Sequence, residues 1–314
     1  MNQRRAILAG ALLCAATATI SVQADEPHTL DGVITAYLDG RGATVQIAPD
    51  AQLARRYAID LTGVVPSPQE VGQMAGKSPA QMFAYFANKA AMPHTGGEQA
   101  YVWANLLRDA DFFLFSNSTQ FSQVRHIQEF RAQLRRVYAE GMSYREFARW
   151  ALESQMFLNR FPSGADRANA SFFLFLGRDS LASEVPVGTM WNGWVLREPD
   201  LPASAAEDDT DYHEYDWDPS VCSSGRVLCS VEFWGRTGST PAEAIDAMLS
   251  SHLFVEATVD RYWERLLGYP TPAVDYPDIL RTLVLGFVES GYDVNWLIRE
   301  IATSAAYTQQ MMFR

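Results

Sequence analysis

The chain has 314 residues, 48% of them hydrophobic, which is enough to build one large core or two smaller ones. Its 37 acidic residues outnumber 25 basic residues, and the net charge of −12 disfavours nucleic acids and anionic lipids as partners because both would be repelled. Lys77 and Lys89 are the only lysines, so Schiff-base chemistry has few candidate residues.

Residues 1–24 have the features of a secretory signal peptide. Arg4 and Arg5 precede an uncharged, mostly apolar stretch, and small residues end at Ala24, where signal peptidase would cleave. The stretch is short for a membrane span, so we predict export to the periplasm or the cell surface with no transmembrane span after cleavage. An uncleaved anchor is the alternative. The paired arginines also fit a twin-arginine signal, which leaves the export route open.

Cleavage after Ala24 would remove two basic residues and no acidic ones. The mature chain would then carry 23 basic against 37 acidic residues, a net charge of −14. We therefore expect no nucleic acid among its partners.

Helix start signals recur along the mature chain. In each, a Ser or Thr can cap the first free amides, and a Glu or Gln three residues later can bond back to the capping residue. Three of the four also place proline at the first helical position, where its missing amide hydrogen is no loss. The four signals are Ser67–Glu70, Ser78–Gln81, Ser143–Glu146 and Thr240–Glu243.

Apolar residues at helical spacing support the same interpretation, and their expected role is core packing. The predicted core faces are Phe130, Leu134 and Val137; Val255, Val259, Tyr262 and Leu266; Leu280, Val284 and Phe287; and Val294, Leu297, Ile298 and Ile301. Gly268 is a natural helix stop. We predict a mostly helical, all-α protein with an N-terminal helical region at residues 25–177 and a C-terminal one at 240–314.

Residues 178–239 break the helical pattern with prolines, glycines, tryptophans and a dense acidic run. Seven acids occupy the twelve positions 207–218, named here the acidic arm. We predict a long irregular insertion with a short β-hairpin around Val227–Trp234. Long ordered loops of this kind often carry function.

The acidic arm is the best candidate binding site in the sequence. Its carboxylates and interleaved rings suit a protein partner or a sugar, while the alternative is that the rings anchor the loop on the core. The candidate binding residues are Asp209, Asp211, Tyr212, Glu214, Tyr215, Asp216, Trp217 and Asp218.

The same carboxylates suggest a calcium site, since calcium prefers oxygen ligands. The candidate ligands are Asp209, Asp211, Glu214 and Asp216. The spacing does not match a helix-loop-helix calcium loop, because position six counted from Asp209 is Glu214 and not glycine. A solvated acidic loop without an ion is the alternative.

Cys222 and Cys229 are the cysteines left after signal cleavage. In an oxidising compartment we predict that they form a disulfide, which would stabilise the fold by about 2.5 kcal/mol in the chain-entropy model. A metal pair and a free redox thiol are the alternatives. Histidines stand singly, and no serine-hydrolase, zinc-protease or phosphate-loop motif occurs, so we predict no catalytic residue.

Two segments of the N-terminal region resemble a known family. Ala54–Val71, with the sequence ARRYAIDLTGVVPSPQEV, resembles the opening motif of the planctomycete cytochrome-associated domain, and Met142–Ala148 is similar to a later segment of that family. The C-terminal region resembles its usual companion, the planctomycete surface-type domain. The segments that carry this second resemblance are Phe254–Gly268, Phe287–Asp293, Ile298–Ser304 and Ala306–Tyr307.

The resemblance implies a helical extracytoplasmic protein of unknown function, often beside a cytochrome-c-type module and near exported sulfatase-like proteins. It supplies no catalytic residues. Relatives often carry a Cys-x-x-Cys-His haem-attachment motif, whereas Cys222 and Cys229 have a different spacing and no following histidine. We therefore expect no covalent haem.

Three functions follow, in order of preference. The first is a non-catalytic exported accessory protein that acts with another exported protein, such as a cytochrome or sulfatase-like neighbour, in the periplasm or at the cell surface. The second is a redox- or haem-associated periplasmic protein. The third is a hydrolase of an extracellular polymer, with acid–base work by Asp211 and Glu214.

Overall fold

The computed structural model describes residues 29–40, 44–91, 121–161, 163–178, 194–197, 214–217, 231–233, 236–238, 240–273 and 277–312. Within these residues the fold is mainly helical, which confirms the predicted class. The helices before the insertion are α1 (Leu30–Gly40), α2 (Asp50–Thr62), α3 (Pro68–Met74), α4 (Pro79–Ala91), α5 (Phe121–Ala139), α6 (Tyr144–Glu153), α7 (Gln155–Arg160) and α8 (Gly164–Leu176). The helices after it are α9 (Pro241–Leu249), α10 (His252–Leu267), α11 (Pro277–Glu289), α12 (Val294–Thr303) and α13 (Ala305–Thr308).

The predicted helix starts are confirmed at atomic detail. The Ser67 hydroxyl accepts a hydrogen bond from the Glu70 amide, and the Glu70 carboxylate accepts one from the Ser67 amide at 2.9 Å. Ser143 and Glu146 form the same reciprocal pair at the start of α6. Ser78 and Thr240 cap α4 and α9. These bonds satisfy amides that have no acceptor within their own helix.

One cluster of buried side chains runs through both helical regions, from Leu30 in α1 to Tyr307 in α13. The predicted faces of α5, α10 and α12 are buried in it. On α11 the prediction was off by one residue, because Ile279 and Leu283 are buried while Leu280 and Val284 are only half-buried. Helix α11 contacts α1, α10 and α12, and this surrounding packing turns the buried face away from the one expected from spacing alone.

Short antiparallel strand pairs complete the described part of the chain. Strand β1 (Thr44–Ile47) pairs with β6 (Gln309–Met312), and β2 (Trp194–Arg197) pairs with β3 (Glu214–Trp217). Strands β4 (Val231–Phe233) and β5 (Arg236–Gly238) form a hairpin within the insertion. This hairpin ends a few residues beyond the predicted stretch at 227–234. It contacts α9, while β3 contacts α7.

The first and last parts of the fold meet at one cluster, named here the Arg56 junction, formed by Arg56, Tyr57, Asp60 and Tyr307. The Arg56 guanidinium donates to the backbone carbonyls of Tyr307, at 2.7 Å, and Leu266, at 3.0 Å. It also lies over the Tyr307 ring, 3.9 Å from the ring centroid. The Tyr307 hydroxyl donates to Asp60 at 2.7 Å, and the rings of Tyr57 and Tyr307 stack. The N-terminal motif is thus fastened to the C-terminal helices.

A second link ties α10 to the N-terminal region. Arg261 donates to the carbonyl of Leu174 in α8 and to the Tyr144 hydroxyl of α6. Among the described residues, every helix is too short or too polar to traverse a bilayer.

Candidate functional site

The structure describes half of the binding residues predicted in the acidic arm. Glu214, Tyr215, Asp216 and Trp217 form β3, and the antiparallel register places Glu214 opposite Arg197 and Trp217 opposite Trp194. The remaining predicted site residues, Asp209, Asp211, Tyr212, Asp218, Cys222 and Cys229, lie outside the described residues. The disulfide and the calcium site therefore stay predictions.

Strand β3 lies beside α7, and the start of α7 borders an open groove with a volume of about 590 Å³. We name it the α6 groove, because residues of α6 form its floor between α5 and α7. Its lining residues are Glu129, Ala132, Gln133, Glu146, Arg149, Trp150, Glu153, Ser154 and Gln155. The two ends of the insertion thus reach elements next to this groove: β3 through α7, and the β4–β5 hairpin through α9.

The sequence of α6 explains why one of its faces is apolar and the other charged. Tyr144, Phe147, Ala148, Ala151 and Leu152 are buried, in the spacing of a helix face that packs on a core. The charged residues Arg145, Arg149 and Glu153 follow one another at intervals of four, so they share the opposite face.

Glu146 lines the groove but is committed to the helix cap. Hydrogen bonds from the Ser143 hydroxyl and the Ser143 backbone amide lower the pKa of its carboxyl. Glu146 therefore stays ionised near neutral pH and holds the first turn of α6 in place.

Two arginines of α6 reach across to α9. Arg149 pairs with Asp246 of α9, and it also lies 3.6 Å from the carboxylate of Glu153. Arg145 lies 3.9 Å from Asp246 and donates to the Ser250 hydroxyl at 2.5 Å. These contacts border a smaller hollow of about 410 Å³ that shares Glu146 and Arg149 with the α6 groove.

Tyr292 forms one wall of the smaller hollow and has an unusual backbone. Its φ of 65° is in the left-handed region, which costs a residue with a Cβ about 1–2 kcal/mol. Two backbone hydrogen bonds hold it there: its amide donates to Phe287 and its carbonyl accepts from Tyr144, both at 2.9 Å. The Arg145 guanidinium lies 5.7 Å from the centre of its ring. A strained residue held against an exposed arginine marks this surface as worth testing for function.

Trp150 and Glu153 give the α6 groove its particular chemistry. Trp150 is half-buried, and its ring packs near the rings of Phe147, at 6.0 Å, and Phe130, at 6.4 Å. Partial burial raises the pKa of Glu153, and the nearby charge of Arg149 offsets this only in part. The groove thus combines a fixed aromatic surface with a carboxylate that is incompletely compensated.

Sequence reasoning did not single out these groove residues. Glu129, Arg149 and Asp246 are distant in sequence and meet only through the packing of α5, α6 and α9. The signal that could have found part of the site is the run of charges at Arg145, Arg149 and Glu153, which shares one helix face.

A family model described as PSCyt2, protein of unknown function (DUF1549), matches residues 29–189, just over half of the chain. The match contains both N-terminal segments that resembled the cytochrome-associated domain. No curated protein and no solved structure matches the chain. The resemblance of the C-terminal region to the companion family stays a prediction.

Proposed function

Because the chain belongs to the PSCyt2 family, whose function is unknown, we propose a role from its own surfaces: it is a non-catalytic, exported accessory protein that binds another exported protein. The observation that carries this proposal is the α6 groove. It is an open surface feature that brings together Arg149 and Trp150, with Arg145 and Tyr292 at the adjoining hollow.

Arginine, tryptophan and tyrosine are the side chains that contribute most often to binding energy at protein interfaces. Here the arginines are partly accessible, with 35% of the Arg145 side chain and 36% of the Arg149 side chain exposed. Their partners are side-chain carboxylates on the same surface, which an incoming chain can rearrange without unfolding a helix. These properties favour a docking surface over a purely structural cluster.

Export is the second part of the proposal and is supported by the leader at residues 1–24. We propose that the mature protein begins at Asp25 and acts in the periplasm or at the cell surface. The test is the intact mass of the protein recovered from the extracytoplasmic fraction of its host. A mass corresponding to residues 25–314 is expected, whereas a chain that retains Met1 would contradict cleavage.

The partner is tested by co-purification with chemical cross-linking in the native host, using a variant that fills the groove. Ala132→Trp places a bulky ring at an exposed position that lines the groove. Ala36→Trp, at an exposed position of α1, is the matched control. An exported protein that co-purifies with the wild type and the control but not with Ala132→Trp is expected. Equal recovery with all three proteins, or none with any, would contradict this role for the groove.

The acidic arm extends the same proposal beyond the described residues. We propose a disulfide between Cys222 and Cys229 and a calcium site at Asp209, Asp211, Glu214 and Asp216. Alkylation of the denatured, unreduced protein should add no label, and millimolar calcium should raise the melting temperature. Two labels would contradict the disulfide, and an unchanged melting temperature would contradict the calcium site.

A redox- or haem-associated role is the second candidate, because the matched family is named for an association with cytochromes. The absorption spectrum of the protein purified from its native host separates the two candidates. A Soret band would favour the haem-associated role over the accessory role. The hydrolase hypothesis, which relies on Asp211 and Glu214, stays a third proposal, and loss of polymer cleavage in Asp211→Asn would be needed to support it.

A further inference from the structure

The charges that line the α6 groove are unbalanced. Its lining includes three carboxylates, on Glu129, Glu146 and Glu153, against the single guanidinium of Arg149. The acidic strand β3 lies beside α7 at one end of the groove, and the whole chain has a net charge of −12. Complementarity of charge therefore favours a positively charged occupant.

Arg149 does not fully compensate Glu153, because it is shared. The guanidinium makes its closer contact with Asp246 of α9 and lies farther, at 3.6 Å, from Glu153. Burial raises the pKa of the Glu153 carboxyl, the direction expected of an acid whose charge is poorly solvated and incompletely paired. A second cation at Glu153 would stabilise the ionised form.

Trp150 offers the other contact that a basic side chain needs. A lysine or arginine over a tryptophan ring gains about 0.5–1 kcal/mol at an exposed site. The Trp150 ring packs near the rings of Phe130 and Phe147, so its orientation is fixed before anything binds. The apolar stem of a lysine or arginine can lie along Ala132 and the ring, with its charged end at the carboxylate.

We propose that the α6 groove binds a basic segment of the partner protein, with a lysine or arginine side chain seated between the Trp150 ring and the Glu153 carboxylate. The proposal rests on the accessory function proposed above and names the chemistry of the partner. A second copy of this chain is disfavoured as the occupant, because two copies with a charge of −12 each repel one another.

The test uses a fluorescently labelled hexalysine peptide and the purified mature protein, with binding followed by fluorescence anisotropy at low salt. Glu153→Gln removes the carboxylate while keeping the size of the side chain. Asp39→Asn removes one negative charge from an exposed position of α1 and is the control for general electrostatic attraction. Trp150→Phe keeps a ring at the floor of the groove and reduces the cation–π contact. Circular dichroism and the melting temperature establish that each variant is folded.

We expect Glu153→Gln to weaken hexalysine binding about three- to fivefold, the change expected for loss of one partly buried ion pair. Trp150→Phe should weaken it about twofold, and Asp39→Asn should leave it unchanged. Equal weakening by Glu153→Gln and Asp39→Asn, absence of hexalysine binding, or stronger binding of a hexaglutamate peptide would each overturn the proposal.

The failure of this inference is distinguishable from failure of the accessory function. If Ala132→Trp abolishes co-purification of the partner while Glu153→Gln leaves hexalysine binding unchanged, the groove is a docking surface but its occupant is not basic. A concentration-dependent increase in molar mass that Ala132→Trp removes would identify a second copy as the occupant and would also overturn the proposal.

Discussion

The Arg56 junction and the α6 groove use the same residue types in different ways. In each, an arginine lies near a tyrosine ring, and an aspartate is close by. At the junction, the guanidinium of Arg56 donates to two backbone carbonyls, and the tyrosine that it covers is buried. In the groove, Arg145 and Arg149 instead pair with side-chain carboxylates that remain partly exposed.

The difference shows how one set of side chains can serve either stability or binding. Backbone carbonyls have fixed positions, so an arginine bonded to them fastens two segments together. Exposed carboxylates can move, and an ion pair between exposed groups contributes only about 0–1 kcal/mol, so the same arginine there can exchange partners at little cost. We therefore expect substitutions at the junction to change stability and substitutions in the groove to change binding.

The largest effect is expected from Arg56→Ala. The substitution leaves the carbonyls of Tyr307 and Leu266 without this donor and removes a cation next to the Asp60 carboxyl, whose pKa burial already raises. We expect the free energy of unfolding to fall by about 3 kcal/mol, measured by urea denaturation. A loss below about 1 kcal/mol would show that the junction does not fasten the two segments.

Gly286→Ala should come next and concerns the framework alone. Helix α11 approaches α12 so closely at Gly286 that an added Cβ would overlap the ring of Trp296. We expect a loss of about 2 kcal/mol from overpacking, since the half-buried indole must move away from the core. Ala305→Gly in α13 serves as a reverse control for simple helix propensity. A gain in stability for Gly286→Ala would mean that the ring moves freely.

A smaller, pH-dependent effect is expected at Glu70. Hydrogen bonds from Lys89 and Ser67 lower the pKa of its carboxyl from 4.5 to about 2. The ionised carboxylate therefore stabilises the fold fully above pH 4.5, and this contribution is lost as the pH falls towards 2. The difference in unfolding free energy between wild type and Glu70→Gln should shrink over that interval. A constant difference would contradict the lowered pKa.

The smallest effect on stability is expected from Arg149→Ala. Its ion pairs with Glu153 and Asp246 are about one-third exposed on the arginine side, so we expect the free energy of unfolding to fall by less than about 1 kcal/mol. Hexalysine should bind more tightly, because Glu153 would lose its competing cation. A loss as large as that of Arg56→Ala would remove the distinction between junction and groove.

Features fixed by neighbours in sequence could be predicted from the sequence. Ser67 with Glu70, and Ser143 with Glu146, cap their helices as expected because a capping pair acts across three residues. Gly268 ends α10 in the left-handed conformation that a helix stop requires. The resemblance of Ala54–Val71 to a family motif was likewise confirmed by the family match.

Features that depend on distant contacts could not be predicted in the same way. Glu129 and Asp246 reach the surface around Arg149 through packing between α5, α6 and α9, which no local pattern reports. The buried face of α11 was misplaced for the same reason, since Ile279 and Leu283 are selected by the helices around them. The acidic arm, chosen for its composition, has only Glu214–Trp217 of its candidate residues in the described part of the chain.

The bond between Arg56 and the carbonyl of Tyr307 joins residues 251 positions apart. A ribosome must therefore finish almost the entire polypeptide before this contact can form, and folding of the N-terminal motif has to wait for the C-terminal helices. Nascent or prematurely terminated chains would leave apolar surface of α2 uncovered. Such chains are suited to capture by chaperones and to proteolysis, which gives the cell a means of discarding incomplete copies.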